Sequence, residues 1–200
     1  MTRSSSPLKQ LLANARHPEL ARFLLEKSVT RGDFTLASGK RSSYYVDVRL
    51  SSLSGEGAAL IADAIVNEIN GLDVEAVGGM DMGATPIVSA VVMRLHQLGQ
   101  SPIDGFVVRK EVKKHGTMKN IEGNLPAKPS RLAIIDDVVT SGESIVKAVD
   151  AVRQKGHEVV MAISVLDRNA GGGDRLRAMG LRYQPLVTIA ELGLGDETDV

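Results

Sequence analysis

The chain has 200 residues, 43% of them hydrophobic, with 24 acidic and 24 basic side chains and hence no formal net charge. That length suits one domain with a sizeable core and leaves no room for a second enzymatic domain, while the charge balance excludes a global field able to hold nucleic acid or an anionic membrane. Without cysteine there can be no disulfide, thiol nucleophile or cysteine metal site; the polar start, Met1 to Gln10, lacks the apolar core of a signal peptide and no stretch reaches the length of a membrane span, so a soluble cytoplasmic protein is expected.

In chain order, Leu11, Leu12, Ala15, Leu20, Phe23 and Leu24 form an apolar stripe that predicts helix over Leu8 to Val29, broken near His17-Pro18. Phe34 to Val48 has the turn residues and aromatic alternation of a hairpin or short sheet. Gly57 to Asn70 is amphipathic, with Ile61, Ile65 and Ile69 four apart. There follow strand Glu75 to Gly78, helix Thr85 to Leu98, strand Ile103 to Val108, strand Arg131 to Asp136, helix Gly142 to Lys155 and strand Glu158 to Leu166. A helix near Asp174 to Met179 and a strand near Tyr183 to Ile189 complete the series. This alternation predicts an α/β fold with a central parallel sheet flanked by helices. Its parts are an N-terminal helix and hairpin segment over about residues 1–50 and a core over about 70–190. No internal repeat is present.

One connection breaks the pattern. Arg109 to Ser130 has no convincing apolar periodicity, and a loop that long inside an α/β domain is usually a functional lid or a disordered segment. Its first part, Arg109-Lys-Glu-Val-Lys-Lys-His-Gly-Thr-Met-Lys119, concentrates positive charge against one carboxylate, Glu111. It leaves the carboxyl end of a strand, so it can fold over whatever stands at that edge of a parallel sheet.

The most informative run is Leu132-Ala-Ile-Ile-Asp-Asp-Val-Val-Thr-Ser-Gly-Glu-Ser144. Four apolar residues suit a strand covered on both faces, and Asp136 and Asp137 fall at its carboxyl end, the edge where open α/β sheets bind ligands. Helical spacing resumes from Gly142 with Ile145, Val146, Val149 and Val152, and Gly156 closes the helix. Thr140, Ser141 and Gly142 therefore sit among backbone N–H groups without intrahelical partners, where the helix dipole favours an anion such as phosphate. Two carboxylates beside that site suit neutral ribose hydroxyls. A glycine-bearing turn, Gly78-Gly-Met-Asp-Met-Gly-Ala84, would let backbone amides approach a second anion.

This thirteen-residue run resembles the signature of type I phosphoribosyltransferases, which use 5-phosphoribosyl 1-diphosphate (PRPP). Arg109, Lys110, Lys113, His115 and Gly116 resemble the catalytic loop of the orotate phosphoribosyltransferase family, and the likeness extends from about Phe34 to the end of the chain. The resemblance implies transfer of the phosphoribosyl group from PRPP to orotate, with Lys113 as the main transition-state contributor and Arg109, Lys110 and His115 beside it. PRPP would be held by these four and by Asp136, Asp137, Val138, Val139, Thr140, Ser141, Gly142, Glu143 and Ser144; orotate by Thr140 and Arg168. It further implies a magnesium ion bound mainly through PRPP, with no dedicated protein cage. A homodimer is implied as well, its loop residues shared between subunits; one assignment gives Arg109 and Lys113 to the partner's site and Lys110 and His115 to their own. The string Phe34 to Asp47 resembles the family's hood over the base, but departs from it at Ala37, where many relatives carry lysine, and at Val46, where they carry a second aromatic.

Three rivals are weaker. Another PRPP-dependent enzyme, for adenine or a different base, lacks the lysine-histidine loop. A PRPP-sensing regulator would need an added nucleic-acid module or a basic face. A dinucleotide-binding domain is disfavoured because no G-x-G-x-x-G opens the first strand-helix turn.

Overall fold

Successive residues of one strand serve opposite cores: Leu132 and Ile134 pack into one hydrophobic cluster, Ala133 and Ile135 into another. That alternation, with every residue apolar, requires a sheet covered on both faces. The structure is a computed structural model that describes residues 7–35, 41–100, 103–110 and 120–195.

The large sheet contains β3 (Ala76–Met80), β4 (Asp104–Val108), β5 (Ile121–Gly123), β6 (Arg131–Val139), β7 (Glu158–Asp167) and β8 (Tyr183–Thr188), in the order β5-β4-β3-β6-β7-β8. Every pairing is parallel except β4 with β5. On one face lie α2 (Pro18–Lys27), α4 (Gly55–Ile69) and α5 (Ala84–Gln97), which bury Leu20, Leu24, Ile61, Ile65, Ile87 and Val91 against Val77, Ala133, Ile135 and Ile163. On the other, α6 (Glu143–Arg153) and α7 (Gly172–Ala178) bury Ile145, Val149, Val152 and Leu176 against Phe106, Leu132, Ile134 and Ala162. Among the described residues, no helix is long and apolar enough to cross a membrane.

Before this core come α1 (Pro7–Ala13), an antiparallel pair formed by β1 (Val29–Thr35) and β2 (Arg41–Val46), and the single-turn α3 (Arg49–Ser52). The predicted break at His17-Pro18 is present, with Pro18 opening α2. The second helix ends two residues before Val29, which instead starts β1, so the hairpin begins earlier than its aromatic pattern suggests. Its register shifts between Arg31 and Phe34. The rings of Phe34 and Tyr45 stand 5.7 Å apart across the pair.

Three sequence-based boundaries need correction. First, the segment 109–130 is not without secondary structure: β5 returns along β4 with Ile121 opposite Val108, and the Arg109 N–H donates to the Asn120 carbonyl at 2.8 Å. Three residues with one apolar side chain, Ile121, leave no periodicity to read. Second, β6 runs past the expected end at Asp136 to Val139, with Val138 opposite Leu166 and Val139 opposite Asp167, so Asp136 and Asp137 lie within its carboxyl-terminal part. Third, Gly78 and Gly79 belong to β3, not to the turn after it. A β-carbon on Gly78 would strike the Phe106 ring, and one on Gly79 the Ile135 carbonyl, so both glycines are demanded by close packing within the sheet.

Candidate active site

Parallel strands place their carboxyl ends on one edge, and a cavity of about 570 Å³ opens there. Its lining comes from the end of the hairpin and α3 (Tyr45, Val46, Asp47, Val48, Arg49), the last residue of β3 and the turn after it (Met80, Asp81, Met82, Gly83), the two residues after β4 (Arg109, Lys110), the end of β6 (Asp136, Asp137, Val138) and Ser144 of α6. The peptide between Asp81 and Met82 is cis.

The two carboxylates of β6 differ from surface ones. The Asp136 side chain is buried, at 6% exposure, and accepts the Asp137 backbone N–H at 3.1 Å; Asp137 accepts the Val138 N–H at 2.9 Å. Burial, with the adjacent Asp137 charge second, pushes the Asp136 carboxyl up to about 7. Burial raises Asp137 as well, opposed by the Val138 amide and by the Arg49 charge. A pair of poorly solvated carboxylates with no ion-pair partner among the described residues is built to accept hydrogen bonds from an incoming ligand.

Positive charge enters from the other side of β3. Arg109 forms a long ion pair with Glu122 of β5 at 3.6 Å, and its buried Nε has no hydrogen-bond partner among the described residues. An orphaned buried guanidinium N–H beside a cavity suits an anion supplied by a ligand. Lys110 lines the same space.

The turn from β6 into α6 is closed by Gly142 at φ 74°, a left-handed conformation that glycine adopts without strain. No side chain caps α6, so the hydroxyls of Thr140 and Ser141 are not consumed as caps. The first-turn amides keep their capacity for an anion. The Glu143 carboxylate pairs with Lys147 at 2.6 Å, which leaves its backbone rather than its side chain for a ligand.

The cavity thus gathers six of the residues singled out from the sequence: Arg109, Lys110, Asp136, Asp137, Val138 and Ser144. Val139 is buried in the strand, and Thr140, Ser141, Gly142 and Glu143 continue from the lining residues without themselves lining the cavity. Arg168 follows β7, where its N–H donates to the Val139 carbonyl at 2.9 Å, and its side chain is not among those lining the cavity. Lys113, His115 and Gly116, and the hood position Ala37, lie outside the described residues. Sequence reasoning missed Arg49. Its only signal is an opposite charge two residues earlier, Asp47, a pattern that any surface turn can show.

The residues present fit a divalent cation brought in by a phosphate-bearing ligand: the carboxylates of Asp47, Asp81, Asp136 and Asp137 all line the cavity and can accept from its bound waters. Among the described residues, no three acidic or imidazole groups are arranged to hold a metal by themselves.

No protein-family model matches the chain. Among curated proteins, the orotate phosphoribosyltransferase of Corynebacterium glutamicum is 40% identical over 177 residues, covering 88% of this chain and 93% of that one. The orotate phosphoribosyltransferase of Mycobacterium avium is 39% identical over 184 residues, covering 92% of this chain and 100% of that one. Among solved structures, Mycobacterium tuberculosis orotate phosphoribosyltransferase in complex with PRPP superposes with a TM-score of 0.74 at 36% identity, covering 90% of this chain and 99% of that one. Identity at this level across nearly the whole of each chain, on the same fold and with the acidic pair and the cations meeting at one cavity, places the chain in the orotate phosphoribosyltransferase family.

Proposed function

We propose that the protein transfers the 5-phosphoribosyl group of PRPP to orotate, giving orotidine 5-monophosphate and diphosphate, a step in pyrimidine nucleotide synthesis. The observation that carries this reading is the meeting of the Asp136–Asp137 pair with Arg109 and Lys110 around one cavity at the carboxyl edge of the sheet.

Each part of PRPP finds a chemically matched group. The 5-phosphate takes the amides and hydroxyls of the turn Thr140 to Ser144 at the start of α6. The 2- and 3-hydroxyls of ribose donate to Asp136 and Asp137. The diphosphate lies toward Arg109, Lys110 and the turn Met80 to Gly83. Attack by the orotate ring nitrogen inverts C1 through an oxocarbenium-like transition state, in which the C1–O bond to diphosphate breaks as the C1–N bond forms. Negative charge then grows on the departing diphosphate. Arg109 and Lys110, with Lys113 and His115 of the same loop, stabilise that charge where water is excluded, Lys113 contributing most. Thr140 and Arg168 serve the base, a planar guanidinium matching its carboxylate and carbonyl. Magnesium, when bound through PRPP, would neutralise part of the diphosphate charge. The working unit is a homodimer in the cytoplasm, with loop residues shared between subunits, and the chain folds as a single transferase domain.

The test is direct: the purified protein mixed with orotate, PRPP and magnesium should consume orotate and release diphosphate. Consumption of adenine, with orotate untouched, would assign a different base and overturn the substrate reading.

A further inference from the structure

Three cations line the cavity among the described residues, and only Arg109 and Lys110 come from the basic loop. The third, Arg49, arrives with the hairpin, four residues after Tyr45. Its guanidinium is fixed along one edge: Nε donates to Asp47 Oδ1 and Nη2 to Asp47 Oδ2, each at 2.8 Å. The Arg49 backbone N–H also donates to Asp47 Oδ1, at 3.0 Å. A side-on bidentate pair of this kind leaves the other edge, Nη1 and the second Nη2 proton, available for another planar anion. That edge makes no hydrogen bond among the described residues, and the side chain is half exposed, at 49%.

Geometry separates this cation from the diphosphate group of charges. Arg109 and Lys110 continue β4, whose Val108 stands opposite Met80, so they flank the turn Met80 to Gly83. Arg49 instead belongs to the wall that carries Tyr45, whose ring pairs with Phe34, and an aromatic side chain on that wall suits a flat heterocycle. Orotate differs from uracil by one carboxylate, and a guanidinium already oriented by a partner loses little freedom on binding it. We propose that Arg49, positioned by Asp47, holds the carboxylate of the base beside Arg168, which also reaches its carbonyl, and so selects an acidic pyrimidine over a neutral one. The inference rests on the reading of the protein as an orotate-consuming transferase.

A simpler role must be separated from this one. If Arg49 only neutralised Asp47, its loss would leave a bare carboxylate facing an anionic substrate and would weaken orotate indirectly. The double variant Asp47→Asn/Arg49→Ala distinguishes the two, because it removes that carboxylate as well.

The experiment compares steady-state kinetics of the wild-type protein, Arg49→Ala, Arg49→Lys, Asp47→Asn and the double variant, varying orotate and PRPP separately and offering uracil as a second base. One lost charge-assisted hydrogen bond of about 1.5–3 kcal/mol predicts that Arg49→Ala raises the orotate KM roughly 10- to 100-fold. Selectivity for orotate over uracil should fall by a similar factor, with the PRPP KM little changed. Lysine should recover part of the loss, Asp47→Asn should lose less than Arg49→Ala, and the double variant should stay as weak as Arg49→Ala. A rise in the PRPP KM in place of the orotate KM would assign Arg49 to the diphosphate and overturn the proposal; so would recovery of orotate affinity in the double variant. A wild-type protein that does not consume orotate would instead overturn the transferase reading, before any variant is compared, and this inference with it.

Discussion

Gly83 lies so close to Asp137 that a β-carbon added there would overlap the Asp137 carboxylate. Gly83 belongs to the turn between β3 and α5 and Asp137 to the end of β6, and both line the cavity. Gly83→Ala should therefore displace the Asp137 carboxylate from the ribose site without touching the core. The expected outcome is a fall in kcat/KM on the order of a hundredfold, as for other sub-ångström to ångström displacements of positioning groups. Gly55→Ala, at the start of α4 with open space around it, is the matched control and should leave kinetics unchanged.

Asp136 makes the ligand-free protein sensitive to pH. Its carboxyl is pushed up to about 7 by burial and by the Asp137 charge, above the ordinary value of about 3.9. Between about pH 4 and pH 7 the folded state holds a proton that the unfolded chain has lost, so this group makes stability fall as pH rises through that window. Asp136→Asn should flatten the stability profile there and raise the melting temperature at about pH 8. Ribose hydroxyls favour the ionised carboxylate, so PRPP binding near neutral pH should release protons. Calorimetry in buffers of different ionisation enthalpy measures that release; a binding enthalpy independent of buffer would mean that Asp136 stays protonated in the complex.

The strands and helices of the core were legible because each is long enough to show its period: Ile61, Ile65 and Ile69 on α4, and the unbroken Leu132 to Ile135 on β6. What escaped notice was short or set by tertiary contact. β5 is recruited by pairing with β4, not by its own three residues. Gly78 and Gly79 looked like a phosphate turn because the sequence does not reveal that Phe106 and Ile135 press against them. The acidic pair, the turn after it and the cations Arg109 and Lys110 could be read because their chemistry is concentrated in short runs. Arg49 could not, since only the folding of the hairpin end onto the sheet edge brings it to the cavity.

A buried set of hydrogen bonds joins β7 to β8 just before Arg168. The Tyr183 hydroxyl donates to Asp167 Oδ2 at 3.0 Å and lies 2.6 Å from Ser164 Oγ, while Asp167 Oδ1 accepts the Asn169 N–H at 2.8 Å. Asp167 is only 4% exposed, and it immediately precedes Arg168. Tyr183→Phe removes the donor and leaves a buried carboxylate oxygen unpaired, which should cost about 1–3 kcal/mol of stability in urea unfolding. Ser164→Ala keeps the bond between Tyr183 and Asp167 and should cost less, about 0.5–1.5 kcal/mol. Equal losses in the two variants would show that the bond from Tyr183 to Asp167 is not the stronger link.

Binding and chemistry should separate between two residues of the proposed mechanism. Asp137 is assigned a ribose hydroxyl already present in the ground state, so Asp137→Asn should weaken PRPP in an equilibrium titration and lower kcat/KM through that loss. Lys113 is assigned to charge that appears only as the bond at C1 breaks. Lys113→Ala should therefore keep PRPP affinity within a modest factor while turnover falls by about a hundredfold or more, the usual consequence of removing one preorganised donor from a developing anion. Measuring affinity and single-turnover rate on the same preparations makes the comparison internal. Undiminished turnover in Lys113→Ala would remove Lys113 from the chemical step and leave the other cations of the loop, Arg109 and Lys110, to answer the departing diphosphate.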